Sequence, residues 1–400
     1  MYPEDNFSAI LHNKEDMKKK YLFVLSTGHG VTDMNQGALP AILPYLVAAG
    51  GLKYSQVAGL TFAVALASST LQPVFGIVAD RVSKSWLLAI GVLLSGCGLS
   101  LIGFFPGYYW FMFLVAIVSG IGTAAYHPEA ARMANKVAGE KKGGSMSLFT
   151  VGGNIGISLG PIVATPALLY IGLRGSLVMA IPAIVMFIIF MKIGPAMSSS
   201  IYTGEDGANQ IQGETKNEWK KFLLLVFAVI CRSIIALNMN TFLPLYWNNV
   251  LHRSATTSGM AFSFLLFCGA VATVVGGHLA DRIGITNIMK IGWIILLPTV
   301  FFFTKITDPV GAWLILIPLA FGLHMVNTPS VLLGQKYLPK NIGFASGITM
   351  GLGNSIGGVT APFLGSYADV HGLSAALGIL CFLPIAGVAI ALALKKPQYQ

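Results

Sequence analysis

Fifteen acidic side chains are spread over 400 residues, yet only Asp33 and Glu129 fall deep inside long apolar runs. Two arginines, Arg132 and Arg232, are embedded in the same way. A charge at the centre of a bilayer costs about 2.5–3.5 kcal/mol on insertion scales, so such groups read as functional and as facing a protein interior. Two acids and two arginines also sum to zero, as paired buried charges should. An acid beside an arginine holds or releases a proton according to what else engages the arginine, so these four residues suit coupled titration. Polar residues gather on the same segments: His29, Asn35 and Gln36 near Asp33, His127 near Glu129, and Asn238 and Asn240 near Arg232. His324 and Asn327 form a further group.

Glu129 and Arg132 are three residues apart and share one face of a helix, where they can pair directly. Pro128 lacks the backbone donor and is expected to kink the helix at that point. His127-x-Glu129 resembles a fragment of a metal site, but no third ligand follows at a suitable spacing, so neither metal nor cofactor is expected. No nucleophile–base constellation is evident, and the glycine-rich stretches lie inside helices rather than in phosphate loops, which argues against an enzyme.

The elements that carry these residues are set by composition. The chain is 55% hydrophobic and 10% charged, against about 25% charged in soluble domains, and a spanning helix needs about 20 mostly apolar residues. The pattern predicts helices over 20–47, 54–79, 86–104, 108–135, 143–167 and 173–194, then over 219–248, 255–280, 285–305, 309–335, 342–368 and 372–394. The expected fold is an all-α membrane protein, with twelve transmembrane helices in two pseudo-symmetric six-helix bundles spanning 20–194 and 219–394. A polar stretch at 195–218 reads as a cytoplasmic linker, and 1–19 and 395–400 read as tails. The polar start, followed by a long apolar run carrying Asp33, does not fit a cleavable signal.

The net charge of +10 would suggest nucleic acid in a soluble protein. Here the basic residues sit between apolar segments. With the N-terminus inside, nineteen Lys and Arg fall in inner segments and four (Lys53, Arg174, Arg253 and Lys305) in outer ones. That bias predicts cytoplasmic termini and no nucleic-acid partner. Cys97, Cys231, Cys268 and Cys381 lie in apolar runs without CxxC spacing and read as small buried hydrophobes.

The two halves repeat at an offset of about 200 residues. Gly76-x-x-x-Asp80-Arg81 recurs as Gly277-x-x-x-Asp281-Arg282, Pro128 as Pro329, Gly153-Asn154 as Gly353-Asn354, and Leu43-Pro44 as Leu243-Pro244. Duplicated halves place a solute site at their interface near the midplane. The offset also brings Arg232 to the level of Thr32, so Asp33 and Arg232 are expected at similar depth on opposing helices.

The doubled Gly-x-x-x-Asp-Arg loops resemble the signature of the major facilitator superfamily. Gly156-x-x-x-Gly160-Pro161 resembles the antiporter motif of proton-driven exporters, with Ala164 in place of its later glycine. Three segments are similar to the fosmidomycin-resistance type of exporter: His29 to Gln36, Tyr126-His127-Pro128-Glu129-Ala-Ala-Arg132, and Val151 to Pro161, which includes Asn154. The resemblance implies a monomeric exporter of the bacterial inner membrane driven by the proton gradient. It implies that Gly76, Asp80, Arg81, Gly277, Asp281 and Arg282 latch the inner gate, with a second latch weakened by Ile285 and Thr286. Gly152, Gly156 and Gly160, with Pro161, form a small-residue stripe that lets helix backbones approach closely.

The leading expectation is therefore proton-coupled antiport that exports a small anionic drug or metabolite, such as a fosmidomycin-like phosphonate, by alternating access. Asp33 or Glu129 would carry the proton. Arg132, Arg232, His127, His29, Asn35, Gln36, Asn154, Asn238, His324 and Asn327 would line the substrate cavity. Symport or uniport of a small organic anion remains the alternative, since the same chemistry suits either direction. A non-transporting receptor or scaffold fits poorly with the full repeat and the embedded charges.

Overall fold

The computed structural model describes residues 4–82, 85–137, 142–202, 216–341, 344–345, 348–349 and 353–396. Within these, the side chains of 4–16, 77–82, 135, 142–147, 200–202 and 353–355 are outside the description. The described residues form helices and no strand. A bilayer offers no hydrogen-bond partners, so a spanning backbone must satisfy itself, and helices do so within one segment.

The first set comprises α1 (Glu4–Gly50), α2 (Tyr54–Val82), α3 (Trp86–Ser100), α4 (Tyr109–Val137), α5 (Lys142–Ile171) and α6 (Ala180–Tyr202). The second comprises α7 (Trp219–Asn249), α8 (Ala255–Ile283), α9 (Ile285–Phe303), α10 (Pro309–Leu314), α11 (Leu316–His324), α12 (Asn327–Tyr337), α13 (Gly353–His371), α14 (Leu373–Ile379) and α15 (Phe382–Ala393). Nine stretches of the described residues are long and apolar enough to cross a membrane, one of them running from Leu148 to Ser199 through α5 and α6. Gly284, at φ 94°, makes the one-residue turn between α8 and α9, a conformation open to glycine at little steric cost.

Several boundaries differ from the expected ones. α1 begins at Glu4, inside the expected tail, and α6 runs on to Tyr202, inside the expected linker. The helix expected over 309–335 is three pieces, α10 to α12, and that over 372–394 is two. Each piece follows its predecessor closely enough for neighbouring turns to keep most backbone bonds, as where Met325 N–H donates to Phe321 at 3.0 Å.

Within the first set α1 packs along α5, α2 and α3 lie on α4, and α3 lies on α6. The second set pairs α7 with α13, α8 with α11, and α9 with α15. The sets meet through α2 on α13, α5 on α8, and α1 on α7 and α8. The glycine stripe of α5 explains its approach to α1. A Cβ on Gly152 would strike the Ser26 carbonyl, one on Gly156 the Gly30 carbonyl, and one on Gly160 the Met34 carbonyl. Pro161 continues α5 just beyond the stripe.

Among the described residues, the hydrogen bonds between the two sets lie toward the end where α1 and α7 finish. Asp369 of α13 accepts from Tyr54 N–H at 2.7 Å, Ser55 N–H at 3.2 Å and the Ser55 hydroxyl at 2.5 Å. Asn249 donates to the Tyr54 hydroxyl at 3.0 Å, and Thr241 to the Thr61 hydroxyl at 3.3 Å. These contacts close that end of the molecule.

Candidate functional site

His29, Asp33 and Gln36 follow one another at intervals of four and three on α1, so their side chains stack on one face. That face is turned toward α4 and α5. Asp33 Oδ2 lies 3.2 Å from His29 Nε2, and Asp33 Oδ1 lies 2.9 Å from His127 Nε2 of α4. Gln36 Nε2 donates to Oδ1 at 3.1 Å. The exposures of His29, Asp33 and His127 are 14%, 16% and 22%, so the cluster is sheltered but not fully buried.

The surroundings fix the imidazoles. His29 Nδ1 faces the Phe149 carbonyl at 2.8 Å, and the Phe149 ring stacks on His29 with centroids 4.2 Å apart. His127 Nδ1 lies 3.2 Å from Gln72 Nε2 of α2. The two imidazoles meet edge to face at 5.1 Å. Gly153 of α5 completes the wall. A Cβ there would stand 2.6 Å from Asp33 Oδ2 and from His29 Cε1.

This geometry dictates a proton count. A carbonyl only accepts, so His29 Nδ1 must carry hydrogen to bond Phe149. His29 Nε2 then faces a carboxylate oxygen at 3.2 Å. Two lone pairs at that distance would repel, so one further proton belongs between His29 and Asp33. It resides on the imidazole or on the carboxyl.

Glu129 is a different kind of acid. It is fully buried, and Arg132 grips it with Nε at 2.9 Å from Oε2 and Nη2 at 2.9 Å from Oε1 and 2.7 Å from Oε2. The expected pair on one helical face is present. So tight a pair braces α4.

Arg232 departs from expectation. The repeat offset puts it at the level of Asp33, and the charge balance implies an acid partner. Instead Arg232 turns to α11, with Nη1 donating to the Leu323 carbonyl at 3.2 Å and Nη2 to the Ser233 hydroxyl at 3.3 Å. Its Nε is buried without a partner among the described residues, as is His324 Nε2. Asp33 instead takes its contacts on its own side, from two imidazoles and the Gln36 amide. Asn327 lies 3.5 Å from His324 Nδ1, and His324 packs over Gly269 of α8.

The remaining expected residues are placed as follows. Asn35 is buried against Gly96 of α3, donating to the Val31 carbonyl at 2.9 Å, so it faces helix packing rather than a cavity. Asn238 is buried and bonds Thr360 of α13 at 2.9 Å. Asn154 is half-buried beside Gly153. Gly76 sits against Pro128 in ordinary contact, at 3.9 Å between Cβ positions, and Gly277 faces open space. Asp281 and Arg282 are exposed at the end of α8 and form no ion pair among the described residues. The Asp80 and Arg81 side chains lie outside the described residues.

The expectation that a third metal ligand is missing needs correction. Glu129 is held by Arg132, but α1 supplies His29 and Asp33, and these with His127 offer ligand atoms all within 4.8 Å of one another. Residue types and spacing do not mark Phe149, Gly153, Gln72 or Asp369 as site or gate residues. Only Gly153 carries a signal, through its repetition at Gly353.

A bundle of apolar helices with a sheltered charged cluster is the form of a multi-pass transporter, and comparison with known proteins gives the family. Residues 25–362 match the model of the Major Facilitator Superfamily, and the chain belongs to that family. It is a membrane-embedded transporter of small molecules and not an enzyme. The chain is 28% identical over 374 residues to an uncharacterised MFS-type transporter, YfnC, of Bacillus subtilis (strain 168), covering 92% of this chain and 91% of that one. It is 27% identical over 372 residues to the fosmidomycin resistance protein of Escherichia coli (strain K12), again covering 92% and 91%. The fold is similar to that of a bacterial homologue of the human lysosomal transporter Spinster in an inward-facing, unoccupied conformation, with a TM-score of 0.73, 14% identity and 94% of each chain covered. It is also similar to a mutant form of the nucleoside transporter NupG, with a TM-score of 0.72, 15% identity, and 94% and 98% covered.

Proposed function

We propose that this transporter is a proton-coupled antiporter of the bacterial inner membrane, with both termini cytoplasmic, exporting a small anionic compound by alternating access. The observation that carries the reading is the 3.2 Å approach of His29 Nε2 to Asp33 Oδ2, with His29 Nδ1 held by the Phe149 carbonyl, which calls for a proton between the two side chains. An exchangeable proton on a partly exposed acid, in a helix facing the other half, is the element a proton-driven cycle needs. Arg232 and His324 of the second half supply unpartnered polar groups for an anion, which would satisfy them. The name of the Escherichia coli relative makes a phosphonate of the fosmidomycin type the compound to try.

With the termini inside, the end closed by Asp369 is the outer one, which fits a form that faces the cytoplasm. Substrate then enters from inside and engages the second half as the first releases its proton to the cytoplasm, and outside a proton returns to the first half as substrate leaves. The two ligands act on opposing bundles. Their exchange is coupled because reopening outward favours substrate release, and return inward favours the protonated His29–Asp33 pair.

Expression in a fosmidomycin-sensitive bacterium tests the reading. Growth protection should appear with the wild-type chain and vanish on adding a protonophore at sublethal dose. Protection that persists without a proton gradient would rule out the coupling.

A further inference from the structure

We propose that His29, Asp33 and His127 form a binding site for a divalent first-row ion of the zinc class, taken up in place of the proton shared by His29 and Asp33. Two imidazole nitrogens and one carboxylate are a donor set that suits zinc, cobalt, nickel or copper rather than calcium or magnesium. An ion with bonds of about 2.0–2.1 Å in tetrahedral array holds its ligand atoms roughly 3.3 Å apart. Asp33 meets the two imidazoles through different oxygens, Oδ2 at 3.2 Å and Oδ1 at 2.9 Å, and the three side chains offer ligand atoms all within 4.8 Å of one another. Small shifts of side chains, without movement of helices, would seat the ion.

The outer partners suit ligation. His29 is held through Nδ1 by the Phe149 carbonyl at 2.8 Å, so Nε2 is the nitrogen presented to an ion. His127 Nδ1 faces the Gln72 side-chain amide at 3.2 Å. A half-turn of that amide offers oxygen in place of nitrogen, puts the imidazole hydrogen on Nδ1, and leaves Nε2 bare for the ion. Gln36 holds the carboxylate at 3.1 Å. Gly153 leaves no side chain in the way on the α5 side. Three protein ligands and residual exposure leave a fourth position for water, as in open zinc sites.

The proton balance follows. The ion enters, the proton between His29 and Asp33 leaves to solvent, and the His127 hydrogen moves from Nε2 to Nδ1 with no net release. One proton is therefore displaced per ion. Inhibition of transport by such an ion rests on the proton-coupling reading above. Binding itself does not.

The test uses the full-length chain purified in detergent, with Zn²⁺ and Co²⁺ as probes. Equilibrium dialysis should find one tight Zn²⁺ per chain, and X-ray absorption at the zinc edge should show two imidazoles with oxygen in the remaining positions. Asp33→Asn and His127→Gln should each weaken binding at least tenfold. His278→Ala and His371→Ala, which alter exposed histidines elsewhere, should leave it unchanged. The Co²⁺ complex of the wild-type chain should give visible bands of low-symmetry coordination, a readout that needs no variant to fold. Absence of a tight site, a spectrum of water ligands alone, or loss of binding only in the exposed-histidine variants would overturn the proposal. Because no transport is measured, the site and the proton coupling stand or fall separately.

Discussion

Asp369 and Ser55 are 314 residues apart in the sequence and in direct contact, the carboxylate of α13 accepting both the amide and the hydroxyl of the residue near the start of α2. With Tyr54 N–H also donating to it, Asp369 caps the first amides of α2, beside the bond from Lys53 N–H to the Gln56 side chain of α2 itself. A cap borrowed from the other half is a latch: it holds only while the halves meet at this end.

Asp369→Asn should therefore loosen that end. A cap is worth about 1 kcal/mol, so the ratio of closed to open molecules should fall by a factor of about five. Spin labels at Lys53 and His371, both exposed, should show a second, longer distance in the variant by pulsed electron resonance. An unchanged distance distribution would remove Asp369 from the gate.

Gly153→Ala places a methyl group 2.6 Å from the Asp33 carboxylate and from His29. Alanine is intrinsically better than glycine in a helix by about 1 kcal/mol, so a loss of function here comes from the site. Transport should drop at least tenfold with normal membrane levels. Gly378→Ala, where a Cβ meets nothing within 4 Å, should transport as wild type. Radiolabelled substrate accumulation in everted vesicles compares the two.

The two embedded arginines should respond in opposite ways. Arg132→Ala strands the fully buried Glu129, and breaking such a pair costs about 3–5 kcal/mol. Low yield and a lowered melting temperature are expected, with partial recovery in the double variant Glu129→Gln, Arg132→Gln. Arg232 holds no carboxylate among the described residues, so Arg232→Ala should fold, and substrate affinity should fall at least tenfold. Thermal unfolding and substrate binding, measured on both, decide the assignment.

Gly156→Leu tests the helix contact apart from the chemistry. The side chain would strike the Gly30 carbonyl, and overpacking of this kind costs about 1–3 kcal/mol. A lower melting temperature is expected even in detergent without substrate. Stability equal to wild type would mean that α1 and α5 are not locked through the stripe.

Much of this was legible from residue types. The apolar content gave the bilayer, the doubled loops gave the family, and the three-residue spacing gave the Glu129–Arg132 pair. What stayed hidden depends on which way a helix face turns. His127 is 94 residues from Asp33, and nothing along the chain shows that the two helices present them to each other. Charge counting suggested that Arg232 answered Asp33, because a sum of charges ignores histidine. Asn35 looked like cavity lining beside Asp33, yet residues two apart point to different sides of a helix, and Asn35 faces α3. The Asp369 latch crosses between halves, where a repeat relates equivalent positions but does not say which of them touch.

The central claim is that Asp33 carries the coupling proton. The most direct measurement is phosphonate transport by purified protein in proteoliposomes, with and without an imposed pH gradient. For wild type, the gradient should drive accumulation. For Asp33→Asn, substrate exchange down its own gradient should continue while the response to the pH gradient disappears. If the Asp33→Asn variant accumulated substrate against its gradient as wild type does, the proton would have to be carried elsewhere.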